Sequence, residues 1–183
     1  ASIAAMGALA YTDSVAYPWF APAGFNRGAL GFVKNVKSRL TTNDRDVLYD
    51  ARINPIATFP GGDFVIFGQK TLQIAKSALD RVNVRRMMLE LKRQVISVAD
   101  KLLFEQNNQT TRDRFTNLVS PRLSLIQAQQ GIESFRVVMD DTNNTEIDKE
   151  NYRLNGKIIV VPTRTVEFIS MDFIITNSGV SFE

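Results

Sequence analysis

Val82-Asn-Val-Arg-Arg-Met-Met-Leu-Glu-Leu-Lys-Arg-Gln-Val-Ile-Ser-Val-Ala-Asp-Lys-Leu-Leu103 is the most strongly patterned stretch of the chain. Val84, Met87, Met88, Leu91, Val95, Val98, Leu102 and Leu103 recur at three- and four-residue spacing. At 3.6 residues per turn that spacing lines them along one side of an amphipathic helix. Such a helix needs a partner, and the sequence offers one. Asn107-Asn-Gln-Thr-Thr111 interrupts the pattern, and a second helix begins near Thr111 with Phe115, Leu118, Val119, Leu123 and Ile126 on one side. Pro121 falls inside it and is expected to kink or divide it.

The flanking segments read as strands and turns. Upstream, Ile56-Ala-Thr-Phe59 and Phe64-Val-Ile-Phe67 bracket Pro60-Gly-Gly-Asp63, the composition of a β-hairpin with a short glycine loop. Asn54-Pro55 closes a helix over Arg45–Ala51, for which Thr41-Thr-Asn-Asp44 supplies cap candidates. Gly28–Val36 reads as a loop running into a short strand, with Gly31 permitting close backbone approach. Residues 2–12 favour a helix that ends before Tyr17-Pro-Trp-Phe-Ala-Pro-Ala-Gly24. Trp19, fixed between two prolines, reads as a core plug rather than a partner-binding loop, and Met87 and Met88 as core residues. Downstream, Glu133–Met139 is strand-like, Asp140–Thr145 suits a turn, and Thr145–Glu150 a single helical turn.

The ending differs. Lys157–Val161 is β-prone, Pro162 removes one ladder donor, and from Thr163 to Thr176 two sets of residues alternate. Val166, Phe168, Ser170, Asp172, Ile174 and Thr176 form one set; Glu167, Ile169, Met171, Phe173 and Ile175 form the other. The whole reads as α+β: two long amphipathic helices packed on a small mixed sheet, with a β-hairpin and an extended C-terminal strand or arm.

Composition narrows the chemistry. The 183 residues include no cysteine and no histidine, which disfavours thiolate metal sites, cysteine nucleophiles and the commonest general base. The Asp44/Asp46 and Asp140/Asp141 pairs, and Asp13 beside Thr12, lack the spacing of a calcium loop and read as caps and turns. Gly61-Gly62 has no following Lys-Ser/Thr and reads as a hairpin turn, not a phosphate loop. No carboxylate pair sits in a context that marks an acid, a base and an orienting group, so a hydrolase is the weakest of the function classes. The formal charge of +3 is a small excess spread over the chain. No apolar run reaches the length of a membrane-spanning helix. The apolar start, Ala1 to Ala10, lacks the basic leader of a signal peptide and reads as a helix continuing from a longer protein.

Three stretches together resemble the tail sheath proteins of contractile-tailed phages, especially those of T-even-type myoviruses. They are Ala10-Tyr-Thr-Asp13 with Tyr17–Gly24, Leu79-Asp-Arg-Val-Asn-Val-Arg-Arg-Met-Met-Leu89, and Gly156-Lys-Ile-Ile-Val-Val-Pro-Thr-Arg-Thr-Val-Glu-Phe-Ile169. Their order and spacing, with the hairpin between the first two, cover nearly the whole chain. The resemblance is to the C-terminal part of such proteins. It implies residues 1–24 as an N-terminal helix and Trp/Pro loop, 25–162 as the shared sheath domain, and 163–183 as a strand or arm.

The resemblance further implies a virion protein, assembled in the host cytoplasm, that stacks in helical rings around a tail tube and contracts to drive the tube through the host envelope. Its partners are identical sheath subunits, the tail tube protein, and baseplate and tail terminator proteins at the ends. No cofactor, catalysis, membrane insertion or nucleic-acid partner is implied. Arg81, Arg85, Arg86, Lys92 and Arg93 are a solvated helix surface by composition alone; in the family setting they become a tube-facing basic face. Val166, Phe168, Ile169, Met171, Phe173, Ile174 and Ile175 are either a strand of the chain's own sheet or, as the resemblance favours, a strand added to a neighbouring subunit. Two other readings stand beside this one: the sheath of a related secretion or bacteriocin system, and a nucleic-acid-binding module using the basic helix 81–93.

Overall fold

A computed structural model of the protein describes residues 1–171. Helix α1 spans Ser2–Val15 and buries the small residues Ala4, Ala8 and Thr12, one per turn. Helix α2, Thr42–Asp50, starts with a reciprocal capping box: the Asp44 backbone N–H donates to the Thr41 hydroxyl, and the Asp44 carboxylate accepts from the Thr41 backbone. Strands β1 (Ile56–Thr58) and β2 (Phe64–Ile66) form the expected antiparallel hairpin. Its turn uses Gly61 and Gly62 at φ +117 and +88, where a side chain would be strained.

Helix α3, Val82–Ala99, continues into a 3-10 turn over Asp100–Leu102. Helix α4, Gln109–Ala128, runs unbroken through Pro121. That proline lies on the exposed side, so water can satisfy the carbonyl its missing N–H leaves over, and the helix is not divided. Strand β3 (Ile132–Val138) and strand β4 (Lys157–Pro162) pair antiparallel, joined through the short helix α5 (Glu146–Glu150). The expected α+β architecture is present, with its sheet material divided into two separate antiparallel pairs among the described residues.

Two apolar clusters organise these elements. The larger lies between α3, α4 and the β3/β4 pair: Val84, Met87, Leu91, Val98, Leu102, Phe115, Val119, Leu123, Ile126, Ile132 and Met139, with Phe135, Val137, Ile158 and Val160 packed against it from the sheet. The smaller joins α1 to the first hairpin through Ala4, Ala8 and Leu30. Trp19, in the loop after α1, belongs to the larger cluster. Its indole N–H donates to the Gln129 carbonyl at 2.8 Å. Arg86 of α3 also reaches back to Asp13 of α1, at 2.5 Å.

Some sequence expectations do not hold in detail. Leu103 and Leu118, assigned to buried faces, are both exposed, at 64% and 42%. The 3-10 turn rotates Leu103 off the stripe, and Leu118 sits one step around the helix from Val119. Residues 33–36 form no strand; Ala29 alone makes an isolated bridge to Val65. The close approach belongs to Gly28 rather than Gly31. A Cβ on Gly28 would lie 2.8 Å from the Ala23 Cα, the Gly24 nitrogen and the Ile66 oxygen, whereas one on Gly31 would meet nothing. The Gly28 carbonyl accepts from the Ile66 N–H at 2.8 Å, which fastens this loop to β2.

Gly28→Ala is therefore expected to cost about 1–3 kcal/mol, because the clash is with backbone that cannot rotate away. Gly31→Ala should change stability by less than about 0.5 kcal/mol. Urea unfolding midpoints of the two variants check this, and equal midpoints would contradict the assignment.

Candidate functional site

Beyond β4 the chain runs from Thr163 to Met171 without joining either ladder. Val166, Phe168, Ile169 and Met171 of this segment are all more than two-thirds exposed. Phe173, Ile174 and Ile175, named with them as an inter-subunit strand, lie outside the described residues. The segment is held to the domain by Thr165 and Glu167. Gln69, itself buried, donates to the Thr165 hydroxyl at 2.5 Å.

Glu167 makes the main attachment. Arg81 grips it as a fork, with Nε donating to Oε1 at 2.7 Å and Nη2 to Oε2 at 3.0 Å. The Tyr49 hydroxyl donates to Oε2, and Gln69 Nε2 to Oε1 at 3.2 Å. Tyr49 comes from α2, Gln69 from the stretch after the first hairpin, and Arg81 from the residue that opens α3. The Gln69 to Arg81 segment is closed on itself by the Lys70–Arg81 bridge.

The electrostatics follow from this geometry. Burial disfavours the charged form of Glu167, but its bonds from Arg81, Tyr49 and Gln69 outweigh burial and hold its carboxyl below the ordinary carboxylate value. Burial raises the Tyr49 phenol, and the carboxylate it donates to raises it further. The bond to Glu167 raises Arg81. Because the Glu167 value is lowered in the folded state, its attachment is fully present above the ordinary carboxylate value and is lost as pH falls through the lowered one.

The five cations expected to form one basic face divide into two groups. Arg81 is occupied by Glu167 and by Asp80 at 3.1 Å, and Arg86 by Asp13. Arg85, Lys92 and Arg93 are exposed on α3. Arg93 bonds Glu90 one turn away at 2.7 Å, an exposed pair of the kind worth about 0–1 kcal/mol. Exposed Leu89 and Ile96 share that side of the helix. A continuous phosphate-facing stripe along 81–93 is thus interrupted at Arg81 and Arg86 by internal ion pairs.

The β3/β4 pair presents a second surface. Phe135, Val137, Ile158 and Val160 face the core, which turns Arg136, Ile159 and Val161 outward. Each of its strands has one ladder partner among the described residues, leaving an edge on either side. Exposed edges and an exposed apolar arm are features that a folded monomer ordinarily avoids. Among the described residues no group of three acidic side chains is placed to hold a metal ion, and no helix is long and apolar enough to cross a membrane.

The attachment at Glu167 was not anticipated from the sequence, where Glu167 is only one member of an alternating run. The signal available was a lone carboxylate in an otherwise apolar alternating set.

The described residues form an α+β domain with an exposed apolar segment and open sheet edges. Comparison with solved structures agrees. The fold matches a chain in the sheath complex of an extracellular contractile injection system in its contracted state, with TM-score 0.84 and 25% identity over 93% of this chain and 49% of the other. It also matches a chain in the baseplate of the anti-feeding prophage, with TM-score 0.85 and 22% identity over 94% of this chain and 49% of that one. Among curated proteins the chain is 39% identical over 176 residues to the tail sheath protein of Vibrio phage KVP40, covering 96% of this chain. It is 34% identical over 177 residues to that of Enterobacteria phage T4, covering 97%. The tail sheath protein of Salmonella phage ViI is 29% identical over 177 residues, covering 96%. No protein-family model matches the chain. The chain is therefore homologous, over nearly all its length, to a segment of the tail sheath proteins of T4-like phages. It spans only 26–28% of the length of these relatives.

Proposed function

We propose that this chain is the C-terminal part of a contractile tail sheath subunit, a non-catalytic protein that polymerises in helical rings around a tail tube and shortens to drive the tube through a host envelope. The near end-to-end similarity to tail sheath proteins carries the reading. In it the partners are identical subunits along the polymer, the tube protein inside, and baseplate and terminator proteins at the ends. The protein is a virion component put together in the host cytoplasm.

Two surfaces suit these roles. In this reading Val166, Phe168, Ile169 and Met171 belong to a segment that pairs with a neighbour, and the open β3/β4 pair is a sheet able to receive such a strand. Arg85, Lys92 and Arg93 are the cations left to meet a tube, since Arg81 and Arg86 are already held within the chain. Weak exposed ion pairs favour a contact that slides. Contraction in this picture is a switch between two subunit packings, driven by the difference in their interface energies.

A second reading, the sheath of a contractile injection system that is not a phage, is favoured by the match to such a sheath complex. The phage reading stands first because the curated relatives are phage proteins. The test is to express the complete parent protein with and without residues 163–183 and look for ordered hollow tubes by electron microscopy. Tubes from the whole protein that vanish on deletion are the expected result. Tubes that persist would remove the arm's role and keep the sheath; no tubes from either would overturn the sheath.

A further inference from the structure

We infer that Tyr49, Gln69 and Arg81 form a carboxylate socket whose occupant is Glu167, so that the described part of the C-terminal arm, residues 163–171, is latched to the domain mainly through one side chain. The inference deepens the sheath reading, because it concerns the root of the segment proposed there to reach a neighbour. Four donors meet the two oxygens of a single carboxylate. Arg81 Nε and Gln69 Nε2 serve Oε1, and Arg81 Nη2 and the Tyr49 hydroxyl serve Oε2. The guanidinium fork matches a planar carboxylate, which sets the chemical class of the occupant.

The socket is fixed by contacts that do not involve its occupant. Lys70 Nζ donates to the Tyr49 carbonyl at 2.6 Å and lies 3.6 Å from the centre of the Tyr49 ring. Asp80 pairs with the free end of Arg81, and Val82 N–H donates to the Gln69 carbonyl at 2.8 Å. The neighbours of Glu167 in the arm, Val166 and Phe168, remain largely exposed, so apolar burial adds little to the attachment. Clefts run along both sides of the arm here, one reaching Arg45 and Phe67, the other Ala78 and Val84. Among the described residues the arm is thus pinned at a point rather than packed along its length. Because every strong donor is matched to a carboxylate, a competing segment would need one of its own to displace it.

Arg164 is exposed three residues before Glu167 and provides a trypsin site that reports the latch in this chain. Glu167→Gln places an amide nitrogen or an uncharged oxygen against donors arranged for an anion. It is expected to speed cleavage after Arg164 by about tenfold or more, since protease attack on a pinned segment follows its local opening. Tyr49→Phe, which removes one donor, should give a smaller increase of a few fold, and Val166→Ala none. Amide exchange in α3 and α4 should be unaffected in all three.

An unchanged rate in Glu167→Gln overturns the latch, as does an equal acceleration in Val166→Ala, which would mean general fraying. Should Glu167→Gln also lose protection in α3 and α4, the Tyr49→Phe chain decides by the same comparison. The assay uses the unassembled chain and is indifferent to polymerisation. A failed latch therefore leaves the tube experiment standing, and absent tubes leave the latch standing.

Discussion

Trp19→Ala is expected to cost about 3–5 kcal/mol of stability, and to lower the melting temperature by about 10 °C at the 2–4 °C per kcal/mol of a chain this size. The indole is 7% exposed and fills the space beside the end of α4. It packs against Gly131, where an added Cβ would lie 3.0 Å from the indole and 2.7 Å from Ile126. Removal also strips the Gln129 carbonyl of its donor and the Tyr17 ring of its stacking partner at 5.0 Å.

The larger consequence is coupling. Trp19 carries the loop after α1 into the α3/α4 cluster, and polar contacts join the same regions: Arg86 to Asp13, and Asn83 Nδ2 to the Trp19 carbonyl at 3.4 Å. In Trp19→Ala the hairpin end should melt before the helical end, so that thermal unfolding followed by circular dichroism broadens or splits. Trp19→Phe keeps most of the volume and loses the N–H donor, and should cost about 1–2 kcal/mol. Equal losses from the two variants would show that the hydrogen bond, not the volume, dominates. As the chain has one tryptophan, its fluorescence in the wild type reports this junction alone.

What the sequence made legible was whatever is decided locally. The α3 stripe, the capped start of α2, the Gly61-Gly62 turn and the Trp19 plug each depend on periodicity, a cap or a rigid residue, and each is found. What stayed hidden depends on distant partners. Arg81 and Arg85 look alike in the sequence, yet one is spent on Glu167, 86 residues away, and the other faces solvent. The sequence reading assigns the close approach to Gly31, whereas the arrival of Ala23 and Ile66 places it at Gly28. Pro121 is tolerated because of which side of α4 meets water, a fact set by the packing of α3 against it. The open edges of β3 and β4 were not legible either, since an alternating strand carries no mark of whether its next partner lies in the same chain.

The connection between those two strands carries the second large effect. Asn144 is 1% exposed, and its amide works as a piece of backbone would. Nδ2 donates to the carbonyls of Asp140 and Asn155 at 3.1 and 2.9 Å and to the Asn143 side-chain oxygen, while Oδ1 accepts from the Asn155 N–H at 2.6 Å. The polar run Asp140–Thr145 is thus more than a turn: it pins the start of the β3–β4 connection to its return at Asn155. Asn144→Ala takes the acceptor from the Asn155 N–H and one of two donors from the Asp140 and Asn155 carbonyls, which keep Asn143, and is expected to cost about 1–3 kcal/mol. Asn144→Asp retains the acceptor but turns a carboxylate oxygen toward carbonyl oxygens, so it should be at least as damaging at neutral pH. The new carboxyl would be forced above its ordinary value, and a group raised in the folded state favours folding below its unfolded value. The Asp variant should therefore regain part of its deficit as pH is lowered toward 4, where Asn144→Ala, with nothing there to titrate, should not. Urea unfolding of both variants at neutral and acid pH measures this. Parallel pH responses would mean that lost packing, not the amide's donors, sets the cost. Since β3 and β4 form the sheet proposed to receive a neighbour's strand, the same two variants should weaken tube formation by the complete protein in proportion to their effect on this connection.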